Sequence, residues 1–218
     1  MTETFDLNGL KLLVSKEHRF GTDAMELASF TKVKSGQVVC DLCTGCGIVP
    51  FLLISGKAKP RPSKIYAADI NDDAIELLRE SVRVNELDEI IFPVHEDLKH
   101  ITQIQGETID IVTMNPPYYK ADDGFKRETG GTARHELLCT LDDAVKAASK
   151  LLRFGGRLYM CHIPERLADV ICALRTHGLE PKSIKFSANR KDEARLVLVD
   201  AKKGGKPGLK VNWECDIL

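Results

Sequence analysis

Residues Gln37–Ser55 read QVVCDLCTGCGIVPFLLIS. An apolar run closes on an acidic residue, Asp41. Gly45 and Gly47 follow within one turn, and a second apolar run, Ile48–Ile54, comes directly after them. Strand, glycine turn, helix is how a parallel α/β sheet begins, because glycines let the backbone reverse tightly and approach a ligand closely. The same stretch carries Cys40, Cys43 and Cys46, three residues apart, and so offers a rival reading through sulfur. Three thiolates at this spacing match an iron–sulfur run, but a cluster needs a fourth ligand and the next cysteine is Cys139. Cys43-Thr-Gly-Cys46 is also a C-x-x-C pair before a helix, where a thiolate would gain from the helix N-terminus.

Working outward, apolar runs and helical periods alternate. FDLNGLKLLV holds an Asn-Gly pair between apolar stretches and predicts a hairpin. TDAMELASF predicts a short helix with Thr22 or Asp23 as its cap. KIYAADI, EIIFPVH, TIDIVTMNPP and RLYMCHI are the next strands. Between them, Ala74, Leu77, Leu78, Ser81 and Val82 recur at helical spacing over residues 72–86. Leu141–Arg153 is a second such helix, which Gly155-Gly156 is expected to stop. Pro164 opens another, ending near Gly178, and SIKFSA and ARLVLVDA close the chain as two late strands. This order predicts a doubly wound, mostly parallel sheet of seven strands with helices on both faces. A single domain over 1–218 is expected, with residues 1–35 as a hairpin and helix covering the ligand site. At this length a domain buries roughly 70% of the surface of its unfolded chain.

Composition narrows the class. At 43% apolar and 29% charged residues the chain is globular. Net charge is −1, which excludes a globally basic nucleic-acid binder, yet Lys182–Lys210 carries nine Lys/Arg against three Asp/Glu. No apolar run is long enough to span a bilayer, and the N-terminal residues lack the layout of a signal peptide. Seven cysteines, an odd number, do not suggest a disulfide framework. A reduced, cytoplasmic protein is expected. None of the six histidines has metal-ligand spacing, and no metal is expected.

In such sheets ligands lie beyond the carboxyl ends of the strands. Asp41 would repel a pyrophosphate but favour a cationic amino-acid moiety, so Asp41-x-x-x-Gly45-x-Gly47 suits S-adenosylmethionine (SAM) better than a dinucleotide. Asp69 ends the second strand, where a carboxylate can accept both ribose hydroxyls. Asp97 follows the third, within reach of an adenine amino group. Ile70 and Leu98, next in the chain, join them as cofactor-binding candidates. Asn115-Pro116-Pro117-Tyr118 follows the fourth strand. An amino nitrogen conjugated to a ring has a delocalised lone pair, and two acceptors on its protons can rotate it toward tetrahedral geometry. The Asn115 side-chain oxygen and the Pro116 carbonyl fit that role, with the prolines fixing the backbone and Tyr118 offering a ring to stack on a planar substrate. Orientation then supplies most of the rate. Tyr118–Glu136 contains Gly124, Gly130 and Gly131 and shows no period, which predicts a functional loop.

These stretches, with RFGTDAMELASF, ARHE, PERLADVICALRTHGLEPKSIKF and EARLVLVDAKKGGKPGLKV, make the chain resemble class I SAM-dependent methyltransferases carrying Asn-Pro-Pro-Tyr. Within that group it is similar to the tRNA adenine-N6 methyltransferases that act on the adenine following the anticodon of a valine tRNA. The resemblance implies a Rossmann-like fold, SAM as cofactor and tRNA as partner; from the lack of an apolar span no membrane partner is expected, and a monomer is expected. It implies that Gly21, Thr22 and Asp23 line the cofactor pocket beside Asp41, Cys43, Gly45, Gly47 and Asn115. Cys43 stands where such enzymes commonly have glycine. It also implies that Asn115, Pro116, Pro117 and Tyr118 hold the target base. Tyr119, Lys120, Lys126, Arg127 and Arg134, together with the Lys182–Lys210 segment, would meet the RNA. The same motif would serve a glutamine amide in a release factor, or an amino group in rRNA or DNA, and these remain alternatives. A thiol redox or iron–sulfur protein built on Cys40, Cys43 and Cys46 is the alternative of another class.

Overall fold

Apolar runs flanked by glycine, proline and polar residues become a sheet in the computed structural model, which describes residues 2–56, 60–116, 139–188 and 194–212. Five strands run parallel: β3 (Val38–Leu42), β4 (Lys64–Asp69), β5 (Ile91–His95), β6 (Ile109–Met114) and β7 (Leu152–His162). They follow a hairpin of β1 (Thr2–Leu7) and β2 (Leu10–Ser15). After β7 come β8 (Leu179–Ala188), β9 (Ala194–Lys203) and the short β10 (Lys210–Asn212). The sheet order is β10-β8-β9-β7-β6-β3-β4-β5, with β9 antiparallel to both neighbours. Seven of these eight strands are those expected. β10 is three residues long, too short to leave a periodic signal.

Side chains of the parallel strands alternate between two apolar layers. Val39, Ile65, Ile91, Ile111, Tyr159 and Cys161 face one layer with α1 (Thr22–Phe30), α2 (Ile48–Ile54) and α3 (Asp72–Val84). Cys40, Leu42, Val94, Val112, Met114 and Met160 face the other with α4 (Leu141–Leu151) and α5 (Leu167–Thr176). Helices therefore cover both faces. α3 begins where the Asn71 side chain accepts the Ala74 amide, and it buries Ala74, Leu78, Ser81 and Val82 as the helical period requires.

The Asn-Gly hairpin forms as its sequence demands, with positive φ at both Asn8 and Gly9. Its β2 edge is closed by α3. Ser81 Oγ accepts the Leu13 amide, while the Asn85 carboxamide accepts from the Lys11 amide and donates to the Lys11 carbonyl. These side chains satisfy backbone groups that an edge strand would otherwise expose.

Two local expectations are corrected. Gly21, not Thr22 or Asp23, is the cap residue of α1, because Asp23 turns away to Arg195 on β9. Gly155-Gly156 does not follow the end of a helix: α4 stops at Leu151 and both glycines lie inside β7. Gly155 takes a left-handed backbone (φ 79°), and Gly156 permits close approach beside a register shift between β6 and β7. A Cβ on Gly156 would lie 2.9 Å from the Arg153 carbonyl and 3.1 Å from that of Asp110. Gly156→Ala is therefore expected to lower stability by about 1–3 kcal/mol, read as a lower urea midpoint at unchanged slope. An unchanged midpoint would show that this backbone gives way freely.

Candidate active site

The chain leaves β3 toward β4 and β5, then returns to build β6 on the other side of β3. The carboxyl ends of β3 and β6 thus flank the switch point of the sheet, where a crevice forms. Asp41 lies there, 2% exposed. Its Oδ2 accepts from Thr44 Oγ1 at 2.6 Å and its Oδ1 accepts from Thr113 Oγ1. One carboxylate thereby joins the turn after β3 to strand β6. Burial pushes Asp41 up to about 7; the Thr113 and Thr44 hydroxyls oppose that shift, and the charge of Asp69 adds to it. The sequence pointed Asp41 at a cationic ligand group. The structure places each of its oxygens on one hydroxyl, of Thr44 in the turn and of Thr113 in β6, so it braces the loop while each oxygen keeps acceptor capacity for such a group.

The turn itself is left-handed at three alternate positions: Cys43 (φ 57°), Gly45 (φ 55°) and Gly47 (φ 88°). Gly45 donates its amide to Asp69 Oδ2 at 2.8 Å, and Asp69 Oδ1 accepts the Asn71 amide at 2.9 Å. Among the described residues, a Cβ on Gly45 would meet nothing within 4 Å. Gly47 differs: a Cβ there would come within 2.4 Å of Leu78 Cδ1 on α3. The first glycine leaves space beside the turn among the described residues, and the second lets the turn press onto a helix.

The cysteines do not converge. Cys40 faces the layer of α4 and α5, whereas Cys46 faces the layer of α1–α3. Burial raises the pKa of Cys40, Cys43 and Cys46, that of Cys46 to about 11, and for Cys46 this outweighs backbone donors at the start of α2. The nucleophilic thiolate that a C-x-x-C site needs is thus disfavoured here. Among the described residues no group of three or more His, Cys, Asp and Glu side chains is placed to hold a metal.

The other expected residues sit along the same edge. Ile70, just past β4, is 36% exposed. Asp97, just past β5, opens a short helical turn at Leu98–His100 and accepts the Lys99 amide at 2.9 Å. Gly21 and Thr22 start α1, and the Asp23 and Glu26 carboxylates clamp the Arg195 guanidinium on β9. Asn115 follows β6, and its Oδ1 accepts from Cys161 Sγ at 3.0 Å. Pro116 is buried. Pro117, Tyr118, Tyr119, Lys120, Lys126, Arg127 and Arg134 lie outside the described residues. Sequence reasoning missed Thr44, Thr113, Cys161 and Arg195. For Thr113 a signal existed, since it lies two residues before Asn115 and so on the same face of the strand.

A glycine turn after the first parallel strand, acidic residues at or just past three successive strand ends, and this strand order define a Rossmann-like methyltransferase fold. Solved structures agree on that fold. Methanocaldococcus jannaschii Trm5 in complex with adenosine superposes with a TM-score of 0.68 over 94% of this chain and 56% of that one, at 22% identity. Thermus thermophilus TrmN gives 0.61 over 83% and 48%, also at 22%. The family profile described as the TRM5/TYW2 methyltransferase domain matches residues 18–129, and the chain belongs to that family. Among curated relatives, two proteins named tRNA1(Val) (adenine(37)-N6)-methyltransferase are similar to it. The one from Tolumonas auensis is 26% identical over 73% of this chain and 65% of its own length. The one from Histophilus somni is 24% identical over 84% and 83%. The chain thus spans just under two thirds of the first of these relatives.

Two measurements test the electrostatics and strain of the site. Asp41 has a folded pKa of about 7 against 3.8 for an ordinary aspartate, so it binds its proton more tightly when folded, and its contribution to stability falls as pH rises from about 4 to about 7. His162, buried at the end of β7, is held down to about 4 by burial and by Arg166; its contribution is lost as pH falls from 6.5 to about 4. The two oppose each other. Asp41→Asn is expected to gain stability relative to wild type as pH rises through this window, measured by urea unfolding at pH 4.5 and 7.5. A difference that does not change with pH would show that the Asp41 carboxyl is not shifted. At Cys43, glycine relieves the left-handed backbone while valine worsens it. Cys43→Gly is expected to be at least about 1 kcal/mol more stable than Cys43→Val, and the reverse order would remove strain from the account of this turn.

Proposed function

We propose that the chain is a SAM-dependent methyltransferase acting on N6 of an adenine in tRNA, the adenine next to the anticodon of a valine tRNA. The observation that carries this reading is the position of Asn115. Its carboxamide stands at the end of β6, across the switch point from a glycine turn whose outer face is open among the described residues. The similar proteins named as tRNA1(Val) adenine(37)-N6-methyltransferases supply the substrate.

The residues present fit SAM. The open face above Gly45 admits a ligand against the backbone, and an added Cβ would project into that space. Asp69 uses one lone pair on each oxygen for the Gly45 and Asn71 amides, which leaves acceptor capacity for ribose hydroxyls. Ile70 and Leu98 would flank the adenine, with Asp97 at its amino group. Gly21, Thr22 and Asp23 would close the pocket beside Cys43 and Gly47. When bound, SAM supplies an electrophilic methyl group on a sulfonium sulfur. Asn115 Oδ1 and the Pro116 carbonyl would accept the two protons of the target amine and turn its lone pair toward that methyl. Positioning, rather than a strong base, then carries the rate. An adenine in a folded loop must be splayed out to reach this site. Tyr118 would stack on it, and Tyr119, Lys120, Lys126, Arg127 and Arg134 would hold the flanking RNA.

The test is transfer of labelled methyl from SAM, offered in parallel to unmodified tRNA, a release factor and duplex DNA. N6-methyladenosine in tRNA alone is the expected product. Label in the release factor or the DNA would replace the substrate and keep the site. Asn115→Ala is expected to lower turnover by on the order of 100-fold while SAM affinity stays within a few-fold. An unchanged rate would remove Asn115 from the mechanism.

A further inference from the structure

β6 and β7 are parallel neighbours, with Met114 opposite Met160. One step further along, Asn115 faces Cys161. The Cys161 side chain is fully buried, in the apolar layer shared with Tyr159 and Leu198. Its thiol donates to Asn115 Oδ1 at 3.0 Å. We propose that Cys161 is a positioning residue for the methyl-transfer step, holding the Asn115 carboxamide with its oxygen in a fixed direction. The proposal rests on the reading of Asn115 as the residue that grips the target amine.

The two ends of an asparagine side chain are almost the same size and differ in hydrogen-bond sense. The oxygen must face the amine protons, because an NH2 group turned toward them would repel. A thiol is a donor through S–H and only a weak acceptor through sulfur. Beside Cys161 the amide with its oxygen toward the thiol is therefore favoured over the flipped form. A carbonyl oxygen carries two lone pairs, so accepting the thiol proton is compatible with gripping the amine. The Cys161 end of this bond is fully buried, so solvent does not compete for the thiol, which strengthens its hold on the carboxamide. Sulfur also suits the place: a small, soft side chain packs well against an aromatic and aliphatic layer.

Three variants decide the matter: Cys161→Ala, which removes the donor, Cys161→Ser, which keeps one, and Asn115→Ala. The first readout needs neither cofactor nor substrate. In protein labelled with 15N at asparagine, the Asn115 side-chain NH2 pair is identified by its loss in Asn115→Ala. It is expected to move or broaden in Cys161→Ala and to return toward its wild-type position in Cys161→Ser. The second readout is kinetic. In Cys161→Ala, kcat is expected to fall by roughly tenfold, with KM for the acceptor and SAM affinity within about twofold, and Cys161→Ser to recover most of the loss. An unmoved NH2 pair in Cys161→Ala overturns the proposal. So does a serine variant as slow as the alanine one, because the loss would then follow the volume of sulfur and not its proton. Full turnover in Asn115→Ala would instead refute the role given to Asn115. An inactive Asn115→Ala beside a Cys161→Ala at the wild-type rate would refute only the role of Cys161.

Discussion

A buried carboxylate shared by two hydroxyls holds the site together. Asp41 reaches Thr44 in the glycine turn and Thr113 in β6, the two elements that diverge at the switch point. Burying a carboxyl group without partners is costly, and each hydroxyl offsets part of that cost. The turn and the strand end are therefore not free to shift independently. Asn115 lies two residues past Thr113, so one side chain sets the distance between the backbone that would face the cofactor and the carboxamide that would face the substrate. Asp69 adds a second tie, from the end of β4 to the Gly45 amide. The loop hangs from two acids, Asp41 and Asp69.

The cysteine spacing shows how a linear pattern is undone by geometry. Residues three apart would share a face on a helix. Here the first lies on a strand, the second in a left-handed turn and the third just ahead of α2, so Cys40 and Cys46 end in opposite layers. At Cys43 the same turn explains why glycine would be the simpler choice: an L-residue at φ 57° accepts a strain that glycine avoids.

What could be read in advance follows from how local each cause is. The parallel strands are covered on both faces and so appear as continuous apolar runs. The Asn8-Gly9 turn and the period of α3 are likewise written within a few residues. The roles of Thr113 and Cys161 depend on partners from other strands, and no short window of sequence contains both halves; Thr44 meets Asp41 only three residues away, but through a turn conformation that the residue types do not spell out. Gly156 is required by the approach of the Arg153 carbonyl, three residues back in β7, and of the Asp110 carbonyl, which the β6–β7 pairing brings up. The α1 start shifted to Gly21 for the same reason: the acid expected to cap the helix had a distant guanidinium to meet.

That distant guanidinium bears on the order of assembly. Arg195 meets Asp23 and Glu26, separated from it by 172 and 169 residues, and β9 must slot between β7 and β8 before the meeting can happen. During synthesis the ribosome releases α1 long before its clasp exists. The first helix is thus tied to β9 only after residue 195 has emerged. A nascent chain halted before Arg195 would hold the glycine turn and the Asn115 strand, yet leave the helix that borders them untethered to β9.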